Sequence, residues 1–229
     1  RHTPTAAASL SSVPAASSGH VGAAIGNTLV SQISASQRKV GLLNLDTMVW
    51  RRGYDLPLAI TDAAMSYTST ISNLAWLSAG RTPLGTALDA VYSYDAAIDT
   101  GPLGDSPWTF IDRPGGAAWM ERRFLHSSTM CNSSLYIFGG KLFGSPQLPN
   151  QDLWRLDVDT LTMSQVFNPA SALPPARAGA VLVCAEPYMY LFGGFDDTTS
   201  SVIYHSDVWR YSFLTETWVE MGSKAKAGT

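Results

Sequence analysis

Hydrophobic and polar positions alternate over short stretches of this chain, and the stretches break every few residues at Gly, Pro or Asn. That is the pattern of short strands joined by turns rather than of long helices. The clearest case is Leu153-Trp154-Arg155-Leu156-Asp157-Val158. At a period of two it places Trp154, Leu156 and Val158 on one face and Leu153, Arg155 and Asp157 on the other. Ahead of it, Leu135-Tyr136-Ile137-Phe138 is a continuous apolar run ending at Gly139-Gly140, which reads as a strand closed by a turn.

The same order recurs about 54 residues later. Arg123 leads into Leu135 to Gly140 and then Asp152-Leu153-Trp154-Arg155; Arg177 leads into Met189-Tyr190-Leu191-Phe192-Gly193-Gly194 and then Asp207-Val208-Trp209-Arg210-Tyr211. Each unit reads as four short antiparallel strands. The first is a small, apolar run before the turn at Cys131 or at Glu186-Pro187, and the fourth begins near Met163 or Trp218. Such a meander cannot bury both faces alone, so neighbouring units must stack on it.

This order resembles the Kelch repeat: an arginine, a strand, an apolar strand ending in Gly-Gly, then a Tyr and a Trp at a fixed spacing. Tyr211 and Trp218 have that spacing, with Leu156 and Met163 in their place one unit earlier. The resemblance is strong over 122–221, where Gly139, Gly140, Gly193, Gly194, Tyr211 and Trp218 carry it. Fainter copies precede it. Leu43 and Trp50 repeat the Tyr/Trp spacing, and Ala75 to Gly80 followed by Val91 to Asp95 and Trp108 forms another unit, with an insertion over 101–107. The resemblance implies an all-β propeller of four-stranded blades at about 20–55, 62–112, 122–167 and 176–221. An Ala/Ser-rich segment, 1–19, precedes them and a tail, 222–229, follows. Kelch rings usually close with about six or seven blades, within the range of propellers generally, so the chain is expected to be an arc of a larger ring, with a closed four-blade ring as the competing possibility. Its first residue, Arg1, agrees with a processed or excised piece.

Composition narrows the function. Of the 229 residues 45% are hydrophobic and 14% charged, which excludes disorder. The 15 basic and 18 acidic side chains, a net charge of −3, argue against a nucleic-acid binder. No apolar run approaches the ~20 residues of a membrane helix. The low lysine count and the Ser/Thr/Ala-rich composition favour a secreted or extracellular setting, with the cytoplasm as the alternative.

The resemblance also requires a test for copper chemistry, since galactose oxidase carries its metal on a Kelch-like propeller. Arg122 to Ser127 matches the oxidase's Arg-x-Tyr-His-Ser in outline, but Leu125 stands where a Tyr ligand belongs, and Tyr204-His205 precedes the wrong strand. With four His in all, no metal or other cofactor is expected. A Gly-x-Ser-x-Gly elbow is absent, as is a phosphate-binding Gly loop opening a helix. The expected function is therefore a non-enzymatic module for protein partners or further blades. The alternative is an extracellular carbohydrate-binding or galactose-oxidase-like propeller whose functional residues lie partly outside this chain.

Candidate contacts are Arg123 and Arg177, which the resemblance places by the mouth of the ring and whose planar forks suit a carboxylate, together with His126, Asp196 and Asp197; the competing reading, favoured for the arginines and for His126, is structural, the arginines satisfying local carbonyls between blades and His126 forming an internal hydrogen bond. The two aspartates also offer the hard oxygen ligands of a calcium site, on what otherwise reads as a solvated loop. Asn132-Ser133-Ser134 is an acceptor triplet for N-glycosylation in the turn between first and second strands. Cys131 and Cys184 fall at the same point of consecutive units, where they could face each other across two blades, and are expected as free, small core residues. The repeated tryptophans, Trp154 with Trp209 and Trp50 with Trp218, are expected to pack between sheets.

Overall fold

The computed structural model describes residues 21–32, 38–67, 74–113, 118–144 and 146–223. The Ala/Ser-rich stretch 1–19 and the tail after Ser223 lie outside them. All regular structure among these residues is β, arranged as four four-stranded antiparallel sheets, each in chain order. Blade 1 comprises β1 (Gly22–Ile25), β2 (Thr28–Gln32), β3 (Val40–Asn44) and β4 (Val49–Arg52). Blade 2 comprises β5 (Ala64–Tyr67), β6 (Leu74–Ser78), β7 (Val91–Asp95) and β8 (Trp108–Phe110). In blade 3, β10 (Ser127–Cys131), β11 (Ser134–Phe138), β13 (Leu153–Asp157) and β14 (Thr162–Val166) follow the same course, as do β15 (Val181–Ala185), β16 (Tyr188–Phe192), β19 (Asp207–Ser212) and β20 (Thr217–Ser223) in blade 4.

Two small ribbons stand outside the blades. One joins β9 (Arg123–Phe124) to β12 (Lys141–Leu142), and the other joins β17 (Phe195–Asp196) to β18 (Ile203–Tyr204). Both lie in or beside the connections between second and third strands.

Turn chemistry sets the blade ends. The link from β10 to β11 is two residues, Asn132 at φ 46° and Ser133 at φ 56°, the doubly left-handed turn that matches strand twist and that Asn tolerates. Between third and fourth strands an acceptor side chain folds the chain back: Asp157 Oδ1 accepts from Thr160 N at 2.9 Å, and Asn44 Oδ1 accepts from Thr47 N at 2.8 Å. The repeated Asp/Asn-x-x-Thr spacing is the local cause.

Alternation along the strands sends neighbouring side chains into different cores. From β11, Leu135 and Ile137 join a cluster with Trp76 and Val91 of blade 2, while Tyr136 and Phe138 join one with Leu191 and Trp209 of blade 4. A third cluster, containing Val30, Leu42, Leu77 and Tyr94, joins blades 1 and 2. Sealing one such side chain between sheets is worth ~1.5–3 kcal/mol. The Tyr/Trp spacing is a cross-strand pair inside this packing. Tyr211 lies opposite Trp218 with ring centroids 5.2 Å apart, and Leu156 opposite Met163, Leu43 opposite Trp50 and Tyr94 opposite Trp108 repeat it.

The first strands of successive blades pack side by side, β1 on β5, β5 on β10 and β10 on β15. Together they line one open channel of about 240 Å³, to which all four blades contribute. On blade 4 the face turned away from blade 3 leaves Val181, Val183, Phe192, Val208, Val219 and Met221 exposed.

Cys131 and Cys184 are joined in a disulfide, which corrects the expectation of free thiols. The Gly-Gly register aligns Cys184 with Met130 rather than with Cys131. That one-residue offset puts the two side chains on opposite faces of their sheets, and between consecutive blades opposite faces look at each other. Cysteines at the same repeat position would point in parallel and could not meet.

Candidate functional site

The two repeat arginines are the largest fully buried side chains among the described residues, each 0% exposed. Arg123 forms a two-pronged ion pair with Asp152, at 2.7 and 2.8 Å, and Arg177 pairs likewise with Asp207, at 2.6 and 2.7 Å. Each donates further to the first glycine of a pair, Gly139 O at 2.9 Å or Gly193 O at 3.0 Å, and through Nε to the carbonyl two residues earlier. The indoles of Trp154 and Trp209 donate to the same aspartates at 2.6 and 2.7 Å. Burial pushes the Asp207 carboxyl up, but Arg177 and Trp209 more than reverse this and hold it at about 2. The carboxylate that suits the arginine fork is thus the protein's own. Arg123 and Arg177 stand in the interior as a repeated clamp fixing strand 3 to the Gly-Gly turn, not at the surface where a partner contact was expected.

His126 is also internal. Its Nε2 lies 2.8 Å from Ser78 Oγ of blade 2, and burial followed by the Arg123 charge lowers its pKa to about 3. The ring is neutral at physiological pH. Gly140 explains its position: at φ 85° a Cβ there would come within 2.8 Å of the His126 backbone, so only glycine lets the two segments touch.

Asp196 and Asp197 are half-buried at the end of β17. Asp196 Oδ1 accepts from Thr198 N at 2.8 Å, and Asp197 pairs with Lys141 of blade 3, whose ammonium lies 5.8 Å from the Phe195 ring centroid. Both carboxylates are engaged by the protein itself. Among the described residues the one cluster of potential metal ligands is Cys131, Cys184 and Glu186, and its sulfurs are bonded to each other. Asn132 is exposed at its hairpin tip, while Ser134 of the same triplet is buried and accepts from Arg155 Nε at 2.9 Å.

Strands 1 and 3 of a blade run opposite to strands 2 and 4, so every connection from second to third strand opens at one end of the channel. These connections span 79–90, 139–152 and 193–206 in blades 2 to 4. Each is tied to a neighbouring inter-blade link, Gly80 N donating to Arg123 O at 2.9 Å and Gly140 N to Arg177 O at 3.0 Å, and Lys141 of one connection pairs with Asp197 of the next. On this fixed base stand exposed apolar side chains, Leu84, Phe143 and Leu148, then Val202, Ile203 and Tyr204 on β18 and the residue before it. No composition pattern singled these out. Their signal is exposure, which appears only once the loops are folded.

Four meandering sheets around a channel, tied by Arg-Asp clamps and Gly-Gly turns, define a Kelch-type β-propeller. The KLHDC2/KLHL20/DRC7 Kelch-repeats domain matches residues 19–228, and the chain belongs to that family. It is similar to Kelch domain-containing protein 3 of Homo sapiens, 31% identical over 136 residues, which is 56% of this chain and 33% of that protein. It is also similar to Kelch domain-containing protein 1 of Mus musculus, 30% identical over 80 residues, 34% of this chain and 20% of that protein. The chain therefore spans a third or less of these relatives. Among solved structures, that of YjhT superposes with a TM-score of 0.69 over 91% of this chain and 66% of that one, at 14% identity.

Proposed function

We propose that the chain is a non-enzymatic interaction module that captures protein partners at the end of the channel where the connections from second to third strand open. The observation that carries this is the set of exposed apolar side chains Phe143, Leu148, Val202, Ile203 and Tyr204 on two neighbouring, interlocked connections. Exposed apolar groups on a rigid base are what a protein interface uses, and Asp196, Asp197 and Lys141 supply a polar rim beside them. Membership of a Kelch-repeat family supports the same reading.

The test compares partners recovered by the wild-type chain with those of Ile203→Asp/Tyr204→Ala and Phe143→Ala, with Leu214→Asp at the opposite end as control. A defined subset of partners should disappear with both loop variants and persist with the control. Identical recoveries across all four proteins would remove this surface from consideration.

A further inference from the structure

Between the outer strands of blades 3 and 4 lies a cleft of about 340 Å³, away from the channel and its connections. Its floor is aromatic: Phe213 contacts Tyr136 and Tyr211 with ring centroids 5.4 and 5.5 Å apart. Both tyrosines are nearly buried, yet neither hydroxyl has a hydrogen-bond partner among the described residues. Burial pushes both phenols up, so they remain neutral and can each donate and accept. Arg155 stands on one wall, held through Nε by Ser134 and by a long 3.4 Å contact to Asp157. Glu216 faces it across the cleft, and the Asn132 and Gln165 amides and the Ser164 hydroxyl complete the polar lining.

One further residue needs a reason. Phe167 lines the same cleft and is 67% exposed. The adjoining Asn168 donates to Thr215 O of blade 4 at 3.4 Å, and Ser171 Oγ accepts from Trp218 N at 2.8 Å. The segment is therefore tied to blade 4 while its aromatic ring is left uncovered at the rim.

We propose that this cleft binds a saccharide of one or two rings, its C–H face on Phe167 and Phe213 and its hydroxyls on Tyr136, Tyr211, Arg155 and Glu216. Three features select that class. The one cation, Arg155, is already countered by Asp157 and faces Glu216, so nothing here concentrates a phosphate or another strong anion. The remaining polar groups are neutral and mix donors with acceptors, which suits several hydroxyls at once. Aromatic faces beside such groups match a ligand that is polar at its edge and apolar on its face. The volume lies at the low end of small-molecule sites, large enough for a disaccharide. The inference does not rest on the protein-binding surface proposed above, since the two share no residue.

Saturation-transfer NMR with cellobiose, maltose, lactose and N,N′-diacetylchitobiose tests it, with an acetylated dipeptide amide as the competing class. At least one sugar should receive saturation. Tyr136→Phe and Tyr211→Phe, which keep the rings, should each weaken that sugar about fivefold, the worth of one hydrogen bond. Phe167→Ala, at an exposed position, should abolish the signal with the thermal midpoint unchanged, and Tyr204→Ala should leave it intact. The inference is overturned by silence from every sugar, by a sugar signal that survives all three cleft variants, or by a preference for the dipeptide.

Discussion

Replacing Arg177 with Met removes the cation from a carboxylate that the fold has already enclosed. Asp207 then keeps only the Trp209 indole, while Gly193 O loses its donor and strand 3 loses its tie to the turn. Stripping one partner from a buried ion pair costs about 3–5 kcal/mol. Two features place this case at the upper end: the guanidinium is 0% exposed, and its bonds to Asp207 are 2.6 and 2.7 Å. Urea unfolding followed by tryptophan fluorescence reads the loss directly. The double variant Arg177→Met/Asp207→Leu should recover most of it, because no charge is then left unpaired. Acid supplies a second reading. Folding depresses the Asp207 pKa from 3.8 to about 2, so the pair's contribution is present above pH ~4 and is lost as pH falls towards 2. The gap between wild type and Arg177→Met should close over that window. A single variant costing under about 1 kcal/mol, or a double variant worse than the single, would refute the view that the clamp is an enclosed, mutually dependent pair.

Removing the disulfide by Cys131→Ala/Cys184→Ala should cost about 4 kcal/mol, from the chain entropy restored over a separation of 53 residues. For a chain this size that lowers the thermal midpoint by about 8–16 °C, and calorimetry under non-reducing conditions checks it. A midpoint unchanged within error would show that the bond constrains nothing. The glycines separate sterics from backbone preference. Gly140→Ala should cost about 3 kcal/mol or more, because the new methyl meets His126 backbone at 2.8 Å and the residue sits at φ 85°. Gly193→Ala, at φ 70° with nothing within 4 Å, should cost about 1 kcal/mol. Chemical denaturation of the two variants in parallel distinguishes them, and equal losses would contradict the contact argument.

The blades were legible because their signals are local and repeated: period-two alternation, a turn residue, and a Tyr/Trp pair whose spacing is fixed by one hairpin. Blade 2 was faint for a physical reason. Ala79 adopts φ 46° where blades 3 and 4 use glycine, and a buried Asp99, bonded to Tyr94 Oη at 2.5 Å and to Tyr54 N at 3.0 Å, anchors the insertion that separates Tyr94 from Trp108. The arginine clamps were half legible. Asp-x-Trp recurs at 152 and 207, but nothing local joins it to an arginine 29 or 30 residues away. His126 was readable as a structural hydrogen-bonder, but its partner Ser78 was not, since that residue comes from another blade. The cleft was not legible at all, because its aromatic and polar members reach it from separate blades and meet only after stacking.

The bond between Cys131 and Cys184 has a consequence for the chain when it is cut. Every peptide link from 132 to 183, including the long exposed connection 139–152, lies inside one covalent loop. A protease that nicks this segment releases no fragment: the two halves of the molecule stay joined and migrate at full mass until a reductant is added. The same loop closes across the boundary between blades 3 and 4, so the cut protein keeps the two walls of the aromatic cleft beside each other. A cut in the connection 139–152, or in the link from blade 3 to blade 4, is thereby contained at the scale of one blade pair.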